Sequence, residues 1–429
     1  MTLMAQTSLS LSQAIEKGLQ NNYQIQIAEH DIEIASNNND WGIAGKYPSI
    51  TLNLSSSNTY TNRNDPSGFL TEQATLSNGI TPSVNLNWIL FDGYRVQLTK
   101  QQLEKVETLS QNSAKVTVEN SIQDIILAYY NVLLQQQQLA VIDTVLRLSR
   151  DRVEYQEIRK EFGQAGTFDL LQSQNAYLDD STNYLIQVTN YENAFRNLNL
   201  TMGEDDLSQR YELTDVLEFA PATYELANLQ ERMLANNYQL NNLFINRELA
   251  KINTQIQESR LKPTLSLNSG LSYGYSISNG SQKFINQPST DINASSRTLN
   301  GNINLTAAYT LFDGNIRKIN IQNAKVEEMI SQLTIEDTKR MLRTQLNNTL
   351  ATYNNQKQLV DVTKVNVENA HRNLNISEER FRGGLISSFD YRTVQLNYVN
   401  ATQTLLNSIY NLKVTETELT RLIGGLVRK

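Results

Sequence analysis

The chain has 429 residues, a formal net charge of −7, two histidines and no cysteine. The acidic balance excludes the basic footprint of nucleic-acid-binding proteins, and the lack of cysteine excludes disulfides, thiolate metal sites, a thiol nucleophile and a lipid-carrying N-terminal cysteine. No stretch approaches 18 continuous apolar residues, so we expect no membrane-spanning helix.

The first ten residues, MTLMAQTSLS, have two interpretations. They are either the end of a signal peptide cleaved near Ala5, with the rest absent or truncated in this chain, or an ordinary start. We expect the first. A helical pattern then runs over residues 9–46.

Two stretches with strict alternation follow, at about 48–60 and 80–91. Successive strand residues point to opposite faces, so the alternation predicts two strands with one apolar and one polar face. A polar loop over 61–79 is expected to join them. The apolar positions are Ile50, Leu52, Leu54, Val84, Leu86, Trp88 and Leu90.

The sequence Leu-Phe-Asp-Gly at 90–93 ends the second strand, and a run without glycine or proline follows over 94–162. This run predicts one long helix. Asp92 would favour the positive helix N-terminus, and Gly93 would allow the sharp change of direction. Two glycines, Gly163 and Gly166, then predict a turn, followed by a helix over 167–202.

The same plan returns in the second half of the chain, so we divide it into repeats at 1–215 and 216–429 that form one intertwined unit. Leu-Phe-Asp-Gly recurs at 311–314, 221 positions after its first occurrence. The second repeat predicts helices at 222–261, 315–382 and 386–423, strands at 263–278 and 298–312, a polar loop at 279–297, junction residues Phe312, Asp313 and Gly314, and a turn at Gly383 and Gly384.

The long runs carry a seven-residue apolar period, which implies left-handed supercoiling against neighbouring helices. A run of about 69 residues makes a helix about 100 Å long, and two helices of about 37 residues span about 55 Å each. Each repeat therefore predicts about two full-length helical columns. The apolar positions in the second repeat are Leu346, Tyr353, Val360, Val367, Leu374 and Phe381.

The four strands are typical of a membrane barrel, with apolar residues facing lipid and polar residues facing water. The alternative for any single strand is a half-buried hairpin over a soluble core, but nothing else in the chain resembles such a core. Four strands cannot close, and open edges are not viable in lipid. The sequence therefore predicts an oligomer with 8, 12 or 16 strands, in which Phe91 and Phe312 lie at the membrane interface.

With this doubled layout, the chain resembles the TolC-like outer membrane efflux proteins of the outer membrane factor family. The resemblance rests on the two Leu-Phe-Asp-Gly junctions, on Pro48 and Pro263, and on the segments GQAGTFDLLQSQNAYL and GGLISSFDYRTVQLNYV. It implies a homotrimer with a 12-stranded barrel in the outer membrane of a Gram-negative bacterium and a periplasmic α-helical barrel. Such a duct passively conducts substrates from an inner-membrane pump through a periplasmic adaptor, in efflux or type I secretion.

The resemblance also implies two functional regions. The turns at Gly163, Gly166, Gly383 and Gly384 would contact the adaptor. Asp390 matches one of two carboxylates that ring the closed aperture in relatives, whereas Thr393 occupies the place of the second. Asp169 lies at the matching point of the first repeat. The alternative for Asp390 is purely structural, because Ser387 or Ser388 can cap a helix in which Asp390 lies in the first turn.

Catalysis is not expected, and the sequence predicts no cofactor and no metal site. His30 and His371 lie far apart among polar neighbours, and GQAG lacks the Lys-Ser/Thr of a phosphate loop. The alternative class is a soluble periplasmic coiled-coil scaffold or adaptor. It would explain the seven-residue period but not the four amphipathic strands.

Overall fold

The computed structural model describes residues 7–218 and 222–427. The proposed signal-peptide end near Ala5 lies outside these residues. Within them the fold is mixed, as expected, with an antiparallel sheet and helices. The elements are β1 (Thr7–Leu9), α1 (Leu11–Asn21), α2 (Tyr23–Asn38), β2 (Ser49–Asn64), β3 (Leu70–Phe91), α3 (Arg95–Glu161), α4 (Thr167–Met202), β4 (Tyr211–Leu213), α5 (Leu226–Asn236), α6 (Tyr238–Ser259), β5 (Thr264–Phe284), β6 (Thr290–Ala308), α7 (Ile316–Arg382) and α8 (Ser388–Leu422).

The two long helices are equal in length and in position within their repeats. Helices α3 and α7 each have 67 residues, and their first residues, Arg95 and Ile316, lie 221 positions apart. At a rise of 1.5 Å per residue each is about 100 Å long. No helix in the described part of the chain has the length and apolar character needed to cross a membrane.

The predicted single helices at 9–46 and 222–261 are each broken in two. Asn22 and Asn237 adopt extended backbone angles, with ψ of 120° and 117°. The side chain of Asn237 then accepts a hydrogen bond from the Leu240 amide at 2.9 Å, as an N-cap does. Asparagine therefore ends one helix and starts the next. The first of these predicted helices also stops at Asn38 and is followed by turns.

Most of the two predicted loops belongs to the strands. Strand β2 runs to Asn64 and β3 starts at Leu70, so little of 61–79 is a turn, and β5 and β6 likewise take up most of 279–297. These stretches are rich in serine, threonine and asparagine, and ladder hydrogen bonds hold them regardless of polarity. The last strand ends at Ala308 instead of 312, because its partner β5 begins at Thr264, directly after Pro263.

The four long strands form one antiparallel sheet in the order β2-β3-β5-β6. The central pair, β3 and β5, joins the two repeats, with Asn87 opposite Asn268. Among the residues that the structure describes, strands β2 and β6 each have one partner in this sheet, so each leaves one edge unpaired.

The chain divides into two compact units, and each takes segments from both repeats. One unit comprises Ile34–Thr108 and Ile245–Gln332 and contains the four-stranded sheet. The other comprises Met1–Glu33, Leu109–Phe244 and Leu333–Lys429. Its helices bury part of the predicted seven-residue stripe: Leu346 and Tyr353 are fully buried, as are Ile125 and Val132 in the first repeat, whereas Val360 and Val367 are half-buried.

A short parallel pair that the sequence did not predict, β1 with β4, lies in the second of these units. It is tied to α3 through Tyr129, whose hydroxyl lies 2.8 Å from Asp215 Oδ2 and 2.9 Å from the Leu9 carbonyl. Strands of three residues carry too little alternation to be recognised from sequence.

Candidate functional site

The turns that end the two long helices depend on glycine at one position each. Gly163 and Gly384 have φ of +68° and +72°, a region that side chains other than glycine rarely adopt. At the second turn the Leu385 amide bonds the Arg380 carbonyl at 2.8 Å, which satisfies an orphan helix carbonyl. A side chain added at Gly163 or Gly384 would meet nothing within 4 Å, so both turns are open on that side.

Asp390 takes part in a complete capping box at the start of α8. Its amide bonds the Ser387 hydroxyl at 3.1 Å, and its carboxylate accepts from the Ser387 amide at 3.3 Å and from the hydroxyl at 2.7 Å. Thr393 donates to the Phe389 carbonyl of its own helix at 3.1 Å. Asp390 and Thr393 are both exposed, so the structural role of Asp390 leaves it accessible.

Asp169 lies at the matching point of α4 and accepts a bond from the Gly166 amide at 3.2 Å. Gly166 has an ordinary φ of −82°. Asp169 and Asp390 thus each bond the backbone at the start of their own helix.

A buried polar cluster near these turns was missed by the sequence analysis. Arg392 binds both carboxylate oxygens of Asp180 at 2.6 Å, and the Ser149 hydroxyl donates to the same carboxylate. Arg152 donates from Nη1 to Gln395 Oε1 at 3.1 Å. These contacts join α3, α4 and α8.

The internal repeat contains a signal that could have located this cluster. Shifted by 221 positions, Arg152 corresponds to Asn373, Asp180 to Ala401, and Arg392 to Leu171. Two charges of the first repeat and one of the second thus match neutral residues in the other repeat. A charge that breaks an otherwise parallel pattern indicates a contact that only one repeat makes.

The charge of Arg152 is poorly compensated. Its side chain is buried, with 2% exposure, and its Nε and Nη2 atoms have no hydrogen-bond partner. Burial, together with the nearby positive Arg392, lowers the pKa of Arg152 to about 10. The guanidinium is therefore still protonated at neutral pH.

A second buried carboxyl lies on α3. Glu119 is 5% exposed, and its Oε1 has no hydrogen-bond partner. Burial raises the pKa of Glu119 to about 7, against the opposing charge of Arg421. Arg421 is itself held by Glu418, with an Nη2 to Oε1 distance of 2.7 Å.

The two strand-to-helix junctions share one backbone geometry. Gly93 and Tyr94 have φ of +75° and +73°, and Gly314 and Asn315 have +70° and +67°. Asp92 and Asp313 accept bonds from the amides four residues later, at 3.3 and 3.2 Å.

The junctions differ in what covers them. A side chain at Gly93 would lie 2.3 Å from the Ser259 carbonyl, whereas one at Gly314 would meet nothing within 4 Å. Asp92 is buried, while Phe312 is 77% exposed. Residues of the second repeat in the same chain thus cover the first junction. The equivalent surface of the second junction is exposed. In the described residues no group of three or more histidine, aspartate or glutamate side chains could hold a metal.

Known structures share this architecture over nearly their whole length. CusC, whose crystal structures were described in relation to folding and transmembrane channel formation, matches with a TM-score of 0.77 at 14% sequence identity. The match covers 98% of this chain and 93% of CusC. The Campylobacter jejuni outer membrane channel CmeC matches with a TM-score of 0.76 at 17% sequence identity, and the match covers 99% of this chain and 90% of CmeC. The Vibrio cholerae outer membrane protein VceC matches with a TM-score of 0.74 at 15% sequence identity, and the match covers 97% of this chain and 96% of VceC. At these identities the likeness shows the fold.

The family itself is shown by sequence. No protein of curated function is significantly similar to the chain. The family description "outer membrane efflux protein", however, matches residues 14–204 and 229–425, which cover most of both repeats. The soluble-scaffold alternative is therefore not favoured, and the chain belongs to the outer membrane efflux protein family.

Proposed function

We propose that the chain forms the outer-membrane exit duct of a tripartite efflux or type I secretion system. It conducts substrates passively from a periplasmic adaptor and an inner-membrane pump to the exterior of a Gram-negative bacterium, without catalysis. One observation carries the proposal: a sheet with an apolar face and two unpaired edges leads directly into helices about 100 Å long. Such a sheet is viable in lipid only when its edges are paired with other copies.

The pairing between repeats indicates how copies join. Within one chain, the second strand of the first hairpin, β3, pairs with the first strand of the second, β5. The same rule, applied between chains, pairs β6 of one copy with β2 of the next. This contact is head-to-tail, and such contacts form a closed ring when the rotation closes.

The helices support the same arrangement. Asn112 on α3 donates to the Tyr238 carbonyl of α6 at 2.8 Å. The repeat counterparts of these residues are Leu333, 221 positions later, and Tyr23, which lies 215 positions earlier in the stretch NNYQI that matches NNYQL at 236–240. Leu333 is 69% exposed and Tyr23 is 65% exposed in the isolated chain. Contact between α7 and the α2 of a neighbouring copy would cover both.

The number of copies is proposed from the family. Three copies supply 4 × 3 strands, which makes the 12-stranded barrel that the resemblance implies. The open turns at Gly163 and Gly384, with Gly166 and Gly383 beside them, are proposed to contact the adaptor. Three copies of Asp390, with Thr393 nearby and Asp169 outside them, would line the aperture.

Disulfide cross-linking of introduced cysteines tests the contact between chains. The sequence has no native cysteine, so no other disulfide can form. Asn87 and Asn268 pair within one chain, and their counterparts in the other repeat are Ala308 and Asn53. Ala308 of one copy should therefore lie opposite Asn53 of the next. The variant Ala308→Cys/Asn53→Cys should give covalent bands up to the full ring on a denaturing gel. Directly opposed strand residues lie about 4.5–5.5 Å apart, within disulfide range.

The control pair lies within one chain. Asn87→Cys/Asn268→Cys should form its disulfide without any increase in mass, since these strands pair in the same molecule. A highest band of three subunits supports the trimer, whereas two or four would give barrels of 8 or 16 strands. Monomer alone, with the control pair oxidised, would contradict a head-to-tail ring.

A further inference from the structure

The four long strands and their hairpin turns contain few charges. Residues 49–91 and 264–308, which the structure describes in full, include only six charged side chains, although 19% of the whole chain is charged. Strand alternation puts four of the six on the apolar face of the sheet: Glu72, Lys283, Asp291 and Arg297. Asp65 lies in a turn, and Arg63, on the polar face, has its Nη2 3.0 Å from Asp65 Oδ2. The polar face thus carries one charge, and that charge is paired.

Direct contacts show which side chains share the polar face. The hydroxyls of Ser77 on β3 and Ser278 on β5 form a hydrogen bond of 2.8 Å. A Cβ added at Gly270 on β5 would lie 2.9 Å from Asn302 Oδ1 and 3.0 Å from Asn85 Oδ1. Amides from the two strands that flank β5 therefore converge over Gly270.

The polar face is also the inner side of a curved sheet. Over residues 75–85 of β3, every residue of the polar face is buried or half-buried, whereas every residue of the apolar face is exposed. Strand β3 has a neighbour on each side, so this difference between its faces indicates that the sheet bends toward the polar one. A sheet bent in this way closes with its polar face around the lumen.

Asparagine is concentrated in three successive rows of this face. One row contains Asn87, Asn268 and Asn304, and the next contains Asn85 and Asn302 on either side of Gly270. The third row begins at Asn53 and ends at Asn300. Rows on one face lie about 7 Å apart along the strands. We call these seven residues the asparagine girdle: Asn53, Asn85, Asn87, Asn268, Asn300, Asn302 and Asn304.

We propose that the asparagine girdle makes the barrel lumen electrically neutral, so that cationic, anionic and uncharged cargo pass it without selection by charge. The inference rests on the proposed duct, because the lumen exists only in the closed ring. An amide has no net charge and offers both donors and an acceptor, so it hydrates either sign of cargo. Rings of carboxylates, by contrast, favour cations. Selection by charge is then left to the aperture at Asp390.

The reaction rates of an introduced cysteine measure the potential inside the lumen, and the chain has no native cysteine to interfere. Asn85→Cys lies on a central strand, away from the proposed contact between copies. The oligomer in lipid nanodiscs is treated with a cationic or an anionic methanethiosulfonate, and intact mass reports the modification. Relative to a small neutral thiol in solution, the ratio of the two rates should stay within about threefold. A larger bias toward either reagent would contradict a neutral lumen.

Charges placed beside the probe calibrate the measurement. Asn302→Asp added to Asn85→Cys should shift the ratio about tenfold toward the cationic reagent, because the two amides meet over Gly270. Asn302→Lys should shift it toward the anionic reagent. An unchanged ratio in both would mean that the two positions do not share one aqueous space, which overturns the girdle. If Asn85→Cys does not assemble, Ser83→Cys provides a smaller change two residues away on the same face.

Val84→Cys separates failure of the inference from failure of the proposed duct. Val84 is the neighbour of Asn85 on the apolar face, so its cysteine should face lipid and react with neither reagent. A reactive Val84→Cys with an unreactive Asn85→Cys would overturn the membrane barrel itself. A strong charge bias at Asn85→Cys, with Val84→Cys unreactive, would leave the barrel in place and contradict only the neutral lumen.

Discussion

At the scale of single residues, charged side chains that are buried join the helices to one another. Asp180 and Arg392 form a bidentate pair whose side chains are 6% and 15% exposed, so each depends on the other for solvation. A buried pair adds little net stability as a whole, but removal of one member leaves an unpaired charge. Single substitutions here should therefore be much more damaging than the double substitution.

We expect Asp180→Asn to lower the free energy of unfolding by about 3 kcal/mol, because Arg392 and Arg152 are then buried without a carboxylate. Chemical denaturation of the detergent-purified protein measures it. Asp179→Asn, at an exposed neighbouring position, should change stability by less than about 0.5 kcal/mol. Adding Arg392→Gln to Asp180→Asn should recover part of the loss. Equal effects of Asp180→Asn and Asp179→Asn would show that the pair is unimportant.

Glu119 should make the protein less stable as pH rises. The folded pKa of about 7 lies above the ordinary value of 4.5, so the folded state favours the protonated carboxyl. The cost of ionisation therefore appears between pH 4.5 and 7 and reaches about 3 kcal/mol above that range. We expect Glu119→Gln to stabilise the protein at pH 8 but not at pH 4.5. Glu154→Gln, at an exposed position of the same helix, is the control and should have no such pH dependence.

At the scale of elements, the ends of the long helices, which are set by backbone conformation, could be predicted from the sequence. The ends of the strands, which were assigned from polarity, could not. Helices α3 and α7 start and end within one or two residues of the predicted positions, because positive-φ glycines mark their ends. The strands extend past their predicted ends on the side of the hairpin turns, because exposed serine and threonine occur in both strands and loops. The Arg152 cluster depends on how α3, α4 and α8 pack together, which a single helix period does not encode.

Gly166 is the turn position that tests adaptor contact without disturbing the backbone. Its φ is −82°, and a Cβ there would come no closer than 3.6 Å to Asp169 Oδ2, so other side chains fit. We expect Gly166→Trp to abolish transport by blocking the proposed contact, with oligomers intact by native mass spectrometry. Gly166→Ala should transport normally. Normal transport by Gly166→Trp would place the contact elsewhere.

Labelling of the hairpin turns tests the proposed orientation of the sheet in the membrane. Gly68 lies in the short turn between β2 and β3, whereas Gly280 lies inside β5, where a Cβ would come within 1.9 Å of the Ala74 carbonyl. We expect a peptide tag inserted after Gly68 or Gln287 to be labelled on intact cells, because these turns lie at the strand ends away from the helices, which we propose to lie in the periplasm. An insertion at Gly280 should prevent assembly. Labelling at Gly68 only after the outer membrane is broken would reverse the proposed orientation.

At the scale of the whole molecule, each function proposed for the duct belongs to several copies rather than to one chain. The sheet has two unpaired edges, the second junction is bare, and Asp390 serves its own helix as a capping partner. The family and the incomplete barrel could both be inferred from the sequence, because repeats and strand counts are countable. The aperture could not, since its geometry is defined only by symmetry.

Asp390→Asn separates the aperture from the cap. The amide keeps the size of the side chain and one oxygen for the Ser387 amide, but it removes the charge. If three carboxylates line the aperture, cation selectivity and block by multivalent cations in planar bilayers should both weaken. Asp169→Asn should have a smaller effect. Unchanged selectivity in a normally assembled oligomer would leave Asp390 with the capping role alone.

The unpaired edges of β2 and β6 have a consequence for the life of the chain before assembly. A newly delivered monomer presents two rows of free amide and carbonyl groups beside apolar side chains such as Leu52 and Ile303, which are 78% and 79% exposed. Long, exposed hydrophobic edges pair readily with the wrong partner. If the chain forms the proposed ring, ring closure must outpace random edge-to-edge pairing. We therefore expect the chain to need holding factors in transit and to aggregate when it is produced faster than it can assemble.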